Sequence, residues 1–383
     1  MRIAIILILM FASTGLLFAQ KNTDKQPSLK ERVDEIVEPY FKRKENVGLS
    51  IALIEGDKEA FLSYGSITKD TTILPNEHTI YELGSVTKVF TALLLAKLHQ
   101  DSLIDINASI FKNLPDSLSE NLDEENDITY LQLATHTSGL PRRPYNFGLK
   151  LKDEDNPFEQ YTIEDLYNFI YTRNSMMKTS DKFLYSNTGY GLLGHCIENV
   201  LGNDLETCLQ NNLFSTINMT QTSTLYQENM AVGHDFYGKP VNYWKFKSMQ
   251  GTGALKSSAS DLAKFLKLEM NIVEPSQTLR NAIEQTQVIY YKTHTSNINT
   301  GLGWQIFKRT KKDVPVYTHS GSTSGFRAYV SFIKEQKIGV IVLANNAPSI
   351  NSGKTADHIG IELLTILSEA YQRNNKRKRK NSK

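Results

Sequence analysis

From Val86 to Leu98 the chain is apolar on nearly every side, with Lys88 and Lys97 as its charged residues. A helix that is apolar all round has to be covered all round, so this chain must build layers of structure about it. Ser85 opens the segment behind Gly84. A serine on a first helical turn meets unpaired backbone N–H groups and the positive end of the helix dipole. Lys88, three residues on, shares its face. A lysine in so apolar a run is costly unless it is paired or neutral. Ser-x-x-Lys by itself is a cheap pattern, recurring at Ser66/Lys69, Ser109/Lys112, Ser175/Lys178 and Ser331/Lys334. None of those copies heads an apolar helix. The plainer reading of Ser85 and Lys88 is that they cap and flank a core helix.

Two further motifs weigh against that reading. Tyr185-Ser186-Asn187 is the chain's one Tyr-x-Asn, and an apolar helical pattern follows it from Thr188 to Val200. His319-Ser320-Gly321 is its one Lys/His-Ser/Thr-Gly triplet, at the end of a strand-like segment from Val314 to Thr318. Taken singly, the first is an ordinary loop before a helix and the second a tight turn. Together and in this order, the three supply a hydroxyl nucleophile, two groups able to take its proton, and a strand edge for a substrate.

With these motifs the chain resembles the serine hydrolases of the class C β-lactamase, DD-peptidase and esterase group, over residues 28–370. Leu133-Ala134-Thr135-His136-Thr137-Ser138-Gly139-Leu140-Pro141 is similar to that family's His-Thr-Ser-Gly-Leu stretch. The segment from Gly251 to Phe265 is similar to its Gly-Gly-Leu-x-Ser-x-x-x-Asp-Leu segment. The resemblance implies a covalent acyl-enzyme on Ser85, with Lys88 and Tyr185 as candidates for the base. It implies that Asn187 holds Lys88 and the substrate amide, that Gly321 is one of the substrate-binding and oxyanion residues, and that the backbone N–H groups of Ser85 and Ser322 bind the oxyanion. One residue departs from the β-lactamase pattern. His319 stands where typical class C enzymes carry lysine, and histidine is largely neutral near pH 7 unless shifted. Arg327, after Gly325-Phe326, is the candidate for a replacement charge, or else a solvent-facing strand arginine. Tyr145, Tyr243 and Trp244 are candidates for lining the cleft. The implied substrates are a small peptide ending in D-Ala-D-Ala, a short ester or a β-lactam, in that order. A penicillin-binding sensor or an inactive scaffold is the non-enzyme alternative.

Composition narrows the remaining classes. Arg2, the apolar stretch Ile3–Phe18 and Ala19 read as a signal peptide over residues 1–19, which implies a periplasmic or secreted protein, membrane-anchored if uncleaved. Cys196 and Cys208 are the two cysteines, each in an apolar helical pattern; buried free thiols are favoured over a disulfide. Two cysteines cannot make a zinc ribbon, the histidines offer no His-x-x-x-His pair, and neither a metal nor a cofactor is expected. The formal charge is +2, but the tail Arg373–Lys383 holds seven basic residues and no acid. Residues 373–383 are expected to be a disordered basic tail that can touch an anionic envelope surface; a nucleic-acid role is not expected.

The expected fold is α/β: a central antiparallel sheet with helices on both faces and an inserted, mostly helical domain. Residues 20–99 and 251–372 form the discontinuous α/β domain and 100–250 the helical one. A helix is expected over Ser28–Arg43, bent or shortened at Pro39. Strands are expected at Leu49–Ile54, Ala60–Tyr64, Gly303–Lys308, Val314–Thr318, Phe326–Lys334 and Ile338–Asn345. The last is apolar on both faces, which calls for a helical layer on each side. A helix over about 354–372 can supply one of them.

Overall fold

A computed structural model describes residues 27–119, 127–150, 156–174, 182–293, 298–308, 310, 312–347 and 353–381. Residues 1–19, expected as a signal peptide, lie outside the described residues. Strands β1 (Gly48–Glu55) and β2 (Lys58–Gly65) form a hairpin through Glu55-Gly56-Asp57, and Gly56 takes the positive φ of 59° that the turn demands. After β3 (Ile80–Glu82), a 3-10 turn (Gly84–Val86) leads into the apolar helix Thr87–Gln100. Short β4 (Lys256–Ser258) pairs with β3 as a separate two-stranded sheet. Then follow β5 (Tyr291–Lys292), β6 (Ile298–Thr300), β7 (Gln305–Phe307), β8 (Val316–Ser322), β9 (Arg327–Ile333) and β10 (Ile338–Ala344). The large sheet has the order β2-β1-β10-β9-β8-β7-β6-β5, and all its neighbours are antiparallel.

The expected α/β fold is therefore present, with both faces of the sheet covered. Strands β1 and β10 both have a neighbour on each side, and every β10 residue is buried. On one face lie the helices Leu29–Val37 and Ala356–Asn381, where Val33, Val37, Ile359 and Leu363 pack on Ile51, Val340 and Val342. On the other lie Thr87–Gln100, Ala259–Glu269 and Gln277–Thr286, where Phe90, Leu94, Phe265 and Leu266 join Ile341 and Leu343. The opening helix carries a Ser28–Glu31 capping box and gives way to a 3-10 turn at Glu38–Lys42, because Pro39 removes a donor there.

Two expectations change and a third, on the cysteines, holds. Strand β8 runs through His319-Ser320-Gly321 instead of stopping before it, so the triplet is strand and not turn. Its pairing with β9 continues to Ser322↔Arg327 and supplies the reason. The terminal helix continues through the basic residues to Asn381; lysine and arginine are good helix formers, and Lys378, Arg379 and Lys380 in the last turn suit the negative end of the dipole. Cys196 and Cys208 are both buried and free, each thiol pushed upward by burial, Cys208 to about 11.

Candidate active site

Ser85 stands in the 3-10 turn before the apolar helix, and Lys88 is the second residue of the helix itself. Lys88 has no exposed surface, and its Nζ lies 3.1 Å from Ser85 Oγ. The same Nζ donates to the carbonyl of Thr252 at 2.7 Å. Burial, and then the Arg142 charge, hold the Lys88 pKa well below the ordinary lysine range. Its cost inside the apolar helix is met by this lowered pKa and one strong acceptor; among the described residues it has no carboxylate partner. The competing Ser-x-x-Lys hydroxyls are engaged elsewhere: Ser66 Oγ on the carbonyl of Thr68, Ser109 Oγ on Asp127, and Ser331 Oγ on the carbonyl of Tyr317. Ser175 falls outside the described residues.

Tyr185-Ser186-Asn187 enters the helix Asn187–Leu201, with Ser186 as its N-cap. The Tyr185 hydroxyl reaches Ser85. Burial pushes its pKa up, against smaller downward pulls from Ser85, Arg142 and Arg327. Asn187 does not hold Lys88 directly. Its Oδ1 accepts from Thr252 Oγ1 at 3.0 Å, and the Thr252 carbonyl then accepts from Lys88, so Thr252 joins the two. His136, from the stretch similar to the family's His-Thr-Ser-Gly-Leu, also belongs to the site. It takes φ 61°, and its Nδ1 accepts from the Ser186 N–H at 3.0 Å. Its ring lies 4.5 Å from that of Tyr185. An acceptor nitrogen must be unprotonated, and burial holds the His136 pKa well below its ordinary value.

β8 closes the site edge-on. A Cβ built on Gly321 would stand 1.9 Å from the Leu83 carbonyl oxygen and 2.8 Å from Ser85 N; one on Gly84, at φ 50°, would stand 2.7 Å from Ser322 N. Two glycines therefore let the turn and the strand touch backbone to backbone, and the N–H groups of Ser85 and Ser322 come to one place. His319 is buried beside them. Its Nδ1 donates to the Ser320 carbonyl at 2.9 Å, and burial, then Lys88, take its pKa down to about 3. It is a neutral group at pH 7.

Arg327 is not part of this cleft. Its Nε and Nη2 donate to Asp357 at 2.6 and 2.7 Å, and Nη2 also donates to Ser320 Oγ at 3.3 Å. It faces the C-terminal helix, because Asp357 offers a bidentate partner there. The cleft arginines are Arg142 and Arg143, which line a cavity of about 260 Å³ with Ser85, Asn187, Trp244 and Ser322. Both directly follow Pro141, at the end of the quoted stretch, and their position in a loop gave no periodic signal. Of the aromatic candidates Trp244 lines this cavity, whereas Tyr243 packs on Phe326 and Tyr145 on Phe169.

A serine–lysine–tyrosine cluster with its lysine fully buried, at the junction of a helix and an antiparallel sheet edge, is the arrangement of a serine hydrolase. The family model described as Beta-lactamase matches residues 33–364, and the chain belongs to that family as a serine hydrolase. A Beta-lactamase of Pseudomonas fluorescens is 27% identical over 365 residues, spanning 86% of this chain and 98% of its own length. The octameric penicillin-binding protein homologue from Pyrococcus abyssi superimposes with a TM-score of 0.75 at 24% identity, covering 89% of this chain and 77% of that one. The D-alanine carboxypeptidase AmpC from Burkholderia cenocepacia does so with 0.73 at 22%, covering 89% and 99%. These two structures share the fold.

Proposed function

We propose that this hydrolase works by acyl transfer through Ser85 on peptides of the D-Ala-D-Ala type. The observation that carries the mechanism is Lys88: fully buried, with a lowered pKa and its Nζ 3.1 Å from Ser85 Oγ. A neutral amine donating to the Thr252 carbonyl keeps its lone pair for the Ser85 proton. Lys88 takes that proton as the Oγ–carbon bond forms, and the carbonyl electron pair moves onto oxygen, toward the N–H groups of Ser85 and Ser322. On collapse the leaving group takes a proton from Tyr185, which regains one from Lys88. A water then repeats the sequence on the acyl-enzyme. The raised pKa of Tyr185 favours it as a protonated relay and Lys88 as the first base.

The peptidase reading is supported by the neutral His319 at the position where similar β-lactamases carry lysine, and by a carboxypeptidase among the structures that share the fold. The same neutrality favours a second reading, a short-chain esterase, whose substrate asks for no cation there. Export follows in this reading from Arg2, Ile3–Phe18 and Ala19, and a mature N-terminus at Gln20 in an envelope fraction is its readout.

The test is a purified-protein panel of a D-Ala-D-Ala peptide, a short-chain ester and a chromogenic cephalosporin, with a fluorescent penicillin or fluorophosphonate mapped by peptide mass. The adduct is expected on Ser85. Lys88→Ala and Tyr185→Phe are each expected to slow acylation by on the order of a hundredfold or more, and together by much less than the product. A label on another serine with Ser85 unmodified, or near-normal acylation in either folded variant, contradicts the proposal. Cleavage of the ester alone selects the second reading.

A further inference from the structure

Among the described residues, the cavity that holds Ser85 is lined by two cations, Arg142 and Arg143, and by no carboxylate. Among the described residues neither arginine makes an ion pair. Each guanidinium is instead set against an aromatic ring: Arg142 Cζ lies 5.3 Å from the Tyr185 centroid, and Arg143 Cζ 5.5 Å from that of Phe147. A guanidinium laid over a ring keeps its N–H edge available, and that edge matches a carboxylate in a two-point contact. The wall beside them is fixed. Phe158, which also lines the cavity, stacks on Phe246 at 4.6 Å and packs on Phe147 and Trp244 at 5.2 and 5.1 Å.

The cavity lies to one side of the reacting serine. Tyr185, the proposed donor to the leaving group, lines a different, mostly apolar cavity of about 130 Å³, together with His319, Phe183, Trp304 and Gln305. A leaving group that takes its proton from Tyr185 departs on that side. The acyl part then extends across Ser85 into the cavity with the arginines.

We propose that Arg142 and Arg143 form an anion-recognition subsite for the acyl half of the substrate, so that this enzyme prefers acyl groups bearing a carboxylate. In a peptide substrate this is an acidic residue ahead of the scissile bond; in an ester it is a dicarboxylic monoester. The inference rests on Ser85 being the acylated residue.

The experiment compares kcat/KM for the monosuccinyl and the butyryl esters of one phenol, alongside peptides with Glu or Gln ahead of the terminal D-Ala-D-Ala. Wild type is expected to favour the anionic member of whichever pair it cleaves. That preference is expected to fall about tenfold in Arg142→Gln/Arg143→Gln, and to survive in part in Arg143→Lys, which keeps the charge and loses the fork. An unchanged preference in the double variant overturns the inference, as does wild type with no preference. A preference that follows a carboxylate placed on the phenol instead overturns the acyl-side assignment. Turnover of no panel member, with no label on Ser85, overturns the hydrolase-site reading itself and is distinct from each of these results.

Discussion

A buried ionisable side chain chooses its charge by its neighbours, and three residues of this site have made that choice. Lys88 is pushed toward neutrality by burial and the Arg142 charge, and His319 by burial and Lys88. Glu82, just ahead of the Ser85 turn, is 3% exposed and has its pKa raised to about 7, burial outweighing the hydrogen bond from the Trp244 N–H and the Lys256 charge. The native state therefore binds more protons at Glu82 than the unfolded chain does between the ordinary carboxylate range and pH 7. Stability from this residue falls as pH rises through that window. Glu82→Gln, which cannot ionise, is expected to gain on wild type by about 3 kcal/mol between pH 4 and pH 8, read by urea denaturation at each pH. A pH-independent difference between the two proteins would show that Glu82 titrates normally. His319 acts in the opposite sense: its lowered pKa costs stability as pH falls from its ordinary value toward 3.

At the scale of elements, the site is a contact between a strand edge and the turn before a helix. Gly321 of β8 meets the Leu83 carbonyl and Ser85 N so closely that any side chain would part them. Gly321→Ala is expected to lower acylation by about a hundredfold or more, through separation of the two oxyanion donors, while the variant remains folded. Stopped-flow acylation with a fluorescent penicillin checks it, with circular dichroism as the control for folding. Unimpaired acylation would mean that the oxyanion site does not depend on this contact. The longer elements were legible from pattern: the β1–β2 hairpin, β9, β10 and the Ser85 helix all fall within a few residues of their expected bounds. β3, β4, β5 and β6 were not, because strands of two or three residues carry no period to read. The reach of β8 through His319-Ser320-Gly321 was missed for a related reason: pairing with β9 extends it, and polar glycine-containing sequence reads locally as a turn.

On the scale of the whole molecule, the C-terminal helix returns to the sheet and takes Arg327 away from the cleft. The Arg327–Asp357 pair ties β9 to that helix, with both side chains about one quarter exposed. Arg327→Ala is expected to lower stability by about 1 kcal/mol, and to leave the preference between anionic and neutral substrates unchanged. Calorimetric melting and the ester pair together check it, and a fall in that preference would return Arg327 to the substrate. The sequence by itself determined the layered α/β plan, since β10 and the Ser85 helix are apolar all round and must be covered. It also singled out one Ser-x-x-Lys, because one copy alone heads such a helix. What only the tertiary structure decided is who stands next to whom across long separations. Thr252 joins Lys88 to Asn187, His136 holds the Tyr185 loop, and Arg142 and Arg143 supply the cleft's positive charge, for which the sequence offered Arg327 as a candidate. Those partners come from loops, whose side chains follow no period, and only the packing of helix against sheet brings them together.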